Sequence, residues 1–282
     1  MNSTAGVAVI AFFLVLCKPG FARLLEPNCG INVDGPSYGT RIIGGSDAHI
    51  TAHPWMAFLH FNSKVFCGGT LITRQFVLTA AHCIEGVPQF TVRLGGTDLS
   101  PSSSGLMCEL PAEDYLVEHA IKHKYFTADI GLNDIGILRL GKLVTYNVHI
   151  RPICIVLDPA MELLVRDNIS LVATGWGKTD SGRVAARLQE APILVVDRDI
   201  CTERYKFPLS ENQICAGGKE TNTCLGDSGG PLGGIVNVYG TLRFVQYGIT
   251  SYGDRECRAP STYTDVTRYY EWIELVVDKY SR

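Results

Sequence analysis

Positions 223 to 231 read T-C-L-G-D-S-G-G-P: one serine and one acid among three glycines, beside a cysteine. A hydroxyl on so tight and bare a turn suits nucleophilic attack. A serine hydroxyl is unreactive at neutral pH, however, and needs a neighbouring base, nearly always histidine. The chain has seven histidines, at 49, 53, 60, 82, 119, 123 and 149, and every one precedes Ser228.

That order decides which serine chemistry is open. Gly226, Ser228 and Gly230 satisfy G-x-S-x-G, the nucleophile turn of α/β-hydrolases, but in those enzymes the histidine follows the serine. The order His, Asp, Ser survives. His82 closes the apolar run F-V-L-T-A-A-H-C, with Cys83 available to anchor the backbone and hold a base still. His53 precedes Pro54 in a turn-like stretch. His119 and His123 stand four apart in E-H-A-I-K-H, but with no third ligand evident they read as surface histidines, and no metal is expected. For the acid, Asp134 opens N-D-I-G-I-L-R-L, whose apolar residues imply burial; a buried carboxylate needs a partner such as an imidazole N–H. Asp129, in A-D-I-G, is the alternative, without a strand directly behind it.

The elements that must hold these groups are short. Runs such as W-M-A-F-L-H-F, T-L-I-T-R-Q-F-V-L-T-A, I-G-I-L-R-L, A-P-I-L-V-V and F-V-Q-Y-G-I-T-S-Y recur between Gly, Pro, Asn and Asp breaks. Lengths and turn residues predict an all-β barrel or sandwich. Helical spacing is clear only in R-Y-Y-E-W-I-E-L-V-V-D-K-Y, where Tyr269, Trp272, Ile273 and Val276 form one stripe and Thr267 stands where a cap would. With 282 residues, 46% of them hydrophobic, the chain can bury one or two cores. A net charge of -3 without a Lys/Arg run argues against a nucleic-acid partner.

The apolar run from Ala5 to Cys17, followed by Gly20 and Ala22, suits a secretory signal over residues 1–22. No later stretch is long enough to span a bilayer, so a soluble, secreted, extracellular product is expected and no membrane partner. Residues 23–41, rich in Gly, Pro and Asn, read as a propeptide or linker. The ten cysteines contain no C-x-x-C, and in an oxidising compartment they are best paired as disulfides. Without Cys17 nine remain, which leaves one thiol over.

In sequence order, R-I-I-G-G (Arg41 to Gly45), L-T-A-A-H-C (Leu78 to Cys83), N-D-I-G-I-L (Asn133 to Leu138), T-G-W-G (Thr174 to Gly177), G-D-S-G-G-P (Gly226 to Pro231) and T-S-Y-G (Thr250 to Gly253) resemble the motifs of the trypsin/chymotrypsin family of serine proteases. The likeness runs from Ile42 to Arg282. It implies two six-stranded antiparallel β-barrels, about 42–150 and 151–267, and a C-terminal helix over about 268–280. It implies His82, Asp134 and Ser228 as a triad, with the backbone N–H groups of Gly226 and Ser228 as the oxyanion hole. Arg41-Ile42 resembles the activation bond of a zymogen, whose new Ile42 ammonium would pair with Asp227. The resemblance pairs Cys29–Cys154, Cys67–Cys83, Cys201–Cys215 and Cys224–Cys257, leaving Cys108. Arthropod clip-type proteases look similar through this region, but residues 23–41 hold one cysteine where a clip needs six, so no clip domain is expected.

The chain departs from trypsin in its pocket. Six residues before the nucleophile, where trypsin-like enzymes carry aspartate, stands Asn222. An amide does not neutralise a buried guanidinium. With Ser251, Tyr252 and Gly253 along the cleft and Ser261 on the far wall, a preference for neutral P1 residues is expected, Asp254 or Glu256 being able to lend rim charge. Cutting at Arg41 would then need an upstream trypsin-like protease. Gly96 replaces the glutamate of calcium-binding relatives, so no cofactor is expected. Asn168-Ile169-Ser170 is a glycosylation sequon. Protein or peptide substrates and protease inhibitors are the implied partners. The rival reading is a non-catalytic homologue that regulates a cascade by binding; the presence of His82, Asp134, Ser228 and Gly226 favours the enzyme.

Overall fold

The computed structural model describes residues 23–32, 46–61, 64–86, 89–96, 112–158, 170–179, 184–219, 221–238 and 240–281. The signal segment, Arg41, Ile42, Cys108 and Asn168 lie outside the described residues.

Two antiparallel barrels make the fold. The first closes through β2 (Met56–Phe61), β3 (Lys64–Leu71), β4 (Phe76–Thr79), β7 (Gly136–Leu140), β6 (Glu113–Lys122) and β5 (Thr91–Leu94). In the second, β8 (Ser170–Gly175), β9 (Gln189–Val196), β10 (Gln213–Ala216), β13 (Ser261–Asp265), β12 (Thr241–Tyr252) and β11 (Pro231–Val238) form the ring, closed by pairing of β8 with β9. Closure removes the free strand edges that such short strands would otherwise expose. The run T-L-I-T-R-Q-F-V-L-T-A is not one strand: a turn at 73–75 folds it into the end of β3 and all of β4, paired Thr70 to Leu78 and Leu71 to Val77.

Two details differ from the sequence reading. The two-residue strand β1 (Ser46–Asp47) pairs with Gln189 and Glu190 of β9, so the chain enters through the second barrel before building the first. Helix α1 (Arg198–Tyr205) follows β9; helix α2 runs Tyr270–Tyr280, and Thr267 does not cap it. Asp265 instead accepts from the Thr267 backbone N–H at 3.0 Å and its hydroxyl at 2.6 Å, closing a 3-10 turn just before the helix. The expected stripe holds: Ile273 and Val276 are buried, and α2 lies back on the first barrel, where Arg139 of β7 donates to the Tyr280 carbonyl at 2.7 Å.

Phe58 of β2 stacks on Trp176, which follows β8, with ring centroids 3.6 Å apart, and both are almost wholly buried. This contact ties one barrel to the other. Phe58→Ala is expected to cost about 3–5 kcal/mol of unfolding free energy in urea denaturation of the uncut chain, since a cavity opens that two barrel walls cannot close.

Residues 23–32 lie on the second barrel. Cys29 is bonded to Cys154, Gly30 N–H donates to the Pro152 carbonyl at 2.8 Å, and Phe244 N–H donates to the Gly30 carbonyl at 3.0 Å.

Candidate active site

His82 sits in a 3-10 turn (Ala81–Cys83) just past the end of β4. Its neighbour Cys83 is bonded to Cys67 of β3, which fixes the turn against the barrel wall. Asp134 comes from the neighbouring strand of the same barrel, two residues before β7, whose Gly136 pairs with Thr79 of β4. The backbone reaches it through Asn133, whose left-handed φ of 55° an asparagine tolerates. The Asn133 side chain secures that turn, donating to the Tyr125 carbonyl and accepting from the Tyr269 hydroxyl, each at 2.8 Å.

The Asp134 side chain is 2% exposed, and its two oxygens are fully engaged. Oδ1 accepts from the His82 backbone N–H at 2.9 Å, and Oδ2 accepts from His82 Nδ1 at 2.7 Å and from the Ser251 hydroxyl at 2.5 Å. Thr264 Oγ1 donates to the Asp134 backbone carbonyl at 2.8 Å. A carboxylate facing Nδ1 keeps the proton on that nitrogen and leaves the Nε2 lone pair as the basic site. Nε2 lies 3.6 Å from Cys83 Sγ, a disulfide sulfur with no proton to give. The cluster of Cys67, His82 and Cys83 is therefore no thiolate metal site.

Ser228 enters from the second barrel. Its backbone carbonyl accepts from the N–H of Gly68, the residue after Cys67, at 2.8 Å, so the serine turn is laced to the strand that anchors His82. Among the described residues no hydrogen bond joins the Ser228 hydroxyl to the imidazole. Gly229 has φ +80° and lies so close to Thr79 Oγ1 and the Gly68 carbonyl that a Cβ would collide with both. Gly226 has φ +108°, which side-chain-bearing residues rarely adopt. Asp227, one residue on, is engaged by backbone donors. Its carboxylate accepts from Gly177 N–H at 2.7 Å and Cys224 N–H at 2.8 Å, and burial pushes it above the ordinary carboxylate range.

Asp227 and Asn222 line one cavity of about 800 Å³, together with Glu190 and the turn 255–258. Asn222 is satisfied on both sides: its oxygen accepts from the Ser261 hydroxyl at 2.8 Å and Thr223 N–H at 2.9 Å, and its nitrogen donates to the Ala259 carbonyl. Ser261 Oγ also fills the space against Gly253. Tyr252 packs edge-on against Tyr205, with Phe207 beside it. The rim acid Asp254 is taken by Arg204 at 2.8 Å. Bridges Cys201–Cys215 and Cys224–Cys257 brace these loops.

Asp129, the alternative acid, stands exposed on a separate turn. His119 is exposed; His123 packs among Tyr125, Tyr269 and Trp272, and burial, helped by Lys124, lowers its pKa. Two arrangements were missed. Ser251 supports the Asp134 carboxylate from 117 residues away, and His53 is buried with Nε2 2.6 Å from Glu190. Neither contact leaves a spacing signal in the chain.

A family model described as Trypsin matches residues 42–273. Two relatives are each 33% identical. One is CLIP domain-containing serine protease B15 of Anopheles gambiae, where 93% of this chain covers 75% of that protein. The other is Melanization protease 1 of Drosophila melanogaster, where 89% covers 68%. Among solved structures, the Drosophila Grass clip serine protease of the Toll pathway superposes with a TM-score of 0.76 at 27% identity, over 93% of this chain and 76% of that one. Mouse neuropsin gives 0.67 at 26% identity, over 83% and 99%.

Proposed function

This chain belongs to the trypsin family of serine proteases, and on that premise we propose that it is a secreted endopeptidase made as a zymogen and activated by a cut between Arg41 and Ile42. In this reading residues 1–22 are the signal, 23–41 the activation segment and 42–282 the peptidase. The observation that carries the catalytic part is the doubly engaged Asp134 carboxylate, which orients His82 through both its ring and its backbone.

The Ser228 oxygen attacks the scissile carbonyl while His82 Nε2 takes its proton. The imidazolium so formed is held beside Asp134. Backbone N–H groups of Gly226 and Ser228 receive the oxyanion, and His82 then returns the proton to the leaving amine as the C–N bond breaks. Water repeats the sequence on the acyl-enzyme, released as the free acid.

The geometry around Asp227 supports the activation step. Ser46 is paired with Glu190, which lines the same cavity as Asp227. Ile42 to Gly45 would span at most about 14 Å when extended, so a freed Ile42 ammonium would stay tethered within that distance of Ser46, whose partner Glu190 lines the cavity. Paired there with Asp227, it would draw the loop from Cys224 to Ser228 into its oxyanion-binding form. A neutral Asn222 floor makes Arg41 a poor site for the enzyme itself, so an upstream trypsin-like protease makes the cut, and protease inhibitors are natural partners.

The test is an active-site-directed fluorophosphonate. Protein cut at Arg41 by an added trypsin-like protease is expected to label at Ser228, with uncut protein and cut Ser228→Ala both unlabelled. Cut protein that stays unlabelled would instead support a non-catalytic homologue that acts by binding in an extracellular cascade.

A further inference from the structure

We infer that the primary pocket selects a carboxylate-bearing P1 side chain, aspartate or glutamate, and rejects arginine and lysine; this rests on the endopeptidase reading above and goes beyond a merely neutral pocket.

The floor sets the first condition. An amide offers two acceptor sites and two donors. Both acceptor sites on the Asn222 oxygen are used, by Ser261 and Thr223, whereas among the described residues only one nitrogen donor is used, on the Ala259 carbonyl. What the floor has left to give is an N–H. An incoming carboxylate can accept it; an ammonium or guanidinium finds no acceptor there. Ser261, having given its proton to Asn222 and filled the space beside Gly253, also shortens the pocket, which suits a short acid better than a long basic chain.

Charge sets the second. The cavity that Asn222 lines is also lined by Lys178, Lys219, Arg255 and Arg258, and none of these side chains has an acidic partner among the described residues. The described acids nearby already have hydrogen-bond partners. Glu190 holds His53, Asp254 holds Arg204, and Asp227 accepts two backbone N–H groups and is reserved for the new terminus. Among the described lining residues, Glu190, Asp227 and Glu256 stand against these four cations, so positive charge is in excess. An excess of positive charge around the pocket attracts an anion and repels a cation.

The experiment takes protein cut at Arg41, freed of the cutting protease, with competent sites counted by fluorophosphonate. It is then profiled on peptides that vary only at P1. The expected kcat/KM per labelled site is highest for P1 Glu or Asp, at least tenfold above Arg, Lys and Phe. The advantage should shrink as salt rises, because rim cations are screened. In Arg258→Glu the ratio of Glu to Ala cleavage should fall about tenfold; should that variant not fold, the salt series on the unaltered enzyme decides. Full labelling with Arg, Lys or Phe leading, or a Glu preference indifferent to salt, overturns the inference alone. Cut protein that does not label overturns the endopeptidase reading and this inference with it.

Discussion

Asp134→Asn should lower kcat on a good peptide substrate by about 10⁴-fold while leaving the protein folded. Every hydrogen bond now made to the carboxylate is a donation toward it: His82 N–H to Oδ1, His82 Nδ1 and the Ser251 hydroxyl to Oδ2. An asparagine turns one acceptor into an NH₂ donor. If the NH₂ faces the backbone, two donors oppose each other. If it faces the ring, it forces the proton from Nδ1 to Nε2, and the base then has no lone pair to offer Ser228. Ser251 can rotate its hydroxyl to accept, so the change costs little packing. Activity should therefore fall far more than stability. Peptide kinetics normalised to folded protein by circular dichroism checks this; a loss under tenfold would mean that the imidazole does not depend on Asp134 for its tautomer.

The second large effect is expected at Asp227. After complete cutting at Arg41–Ile42, Asp227→Asn should have kcat/KM reduced by about 10²- to 10³-fold. A half-made buried charge pair costs about 3–5 kcal/mol, and that cost falls on the conformation that buries the Ile42 ammonium. Gel analysis of the cut separates failure to be cleaved from failure to become active. A cut Asp227→Asn enzyme with full activity would sever terminus from loop. The uncut protein carries a linked acid effect. Burial raises the Asp227 carboxyl above its unfolded value, so between those two values the native chain holds a proton the unfolded chain has lost. Stability from this group is therefore gained as pH falls through that window and lost as it rises. Pairing with an ammonium after cutting would oppose that shift.

Much of the molecule was legible from local pattern. Short β runs broken by Gly, Pro and Asn predicted an all-β fold, and one helical stripe predicted the terminal helix, because residue periodicity is imposed within a few residues of chain. The serine turn was legible for the same reason: the left-handed backbone at Gly226 and Gly229 demands glycine on the spot. Boundaries were less so. The turn at 73–75 inside an apolar run carries no Gly or Pro, and Thr267 looked like a cap until Asp265 took its donors.

Contacts between distant residues were not legible. Ser251 on Asp134, Glu190 on His53, Arg204 on Asp254 and Ser261 on Asn222 join positions 117, 137, 50 and 39 apart. Each of those side chains alone is as well explained by a surface position.

By itself, then, the sequence determined the family, the order of the chemical groups and the β character of the chain, since all three are written in short motifs whose residues act on their own neighbours. Only the tertiary structure decided which acids and amides already have partners and which charged side chains gather around Asn222. Those are properties of hydrogen-bond saturation and summed charge, and they exist only once two closed barrels bring remote loops to one cavity.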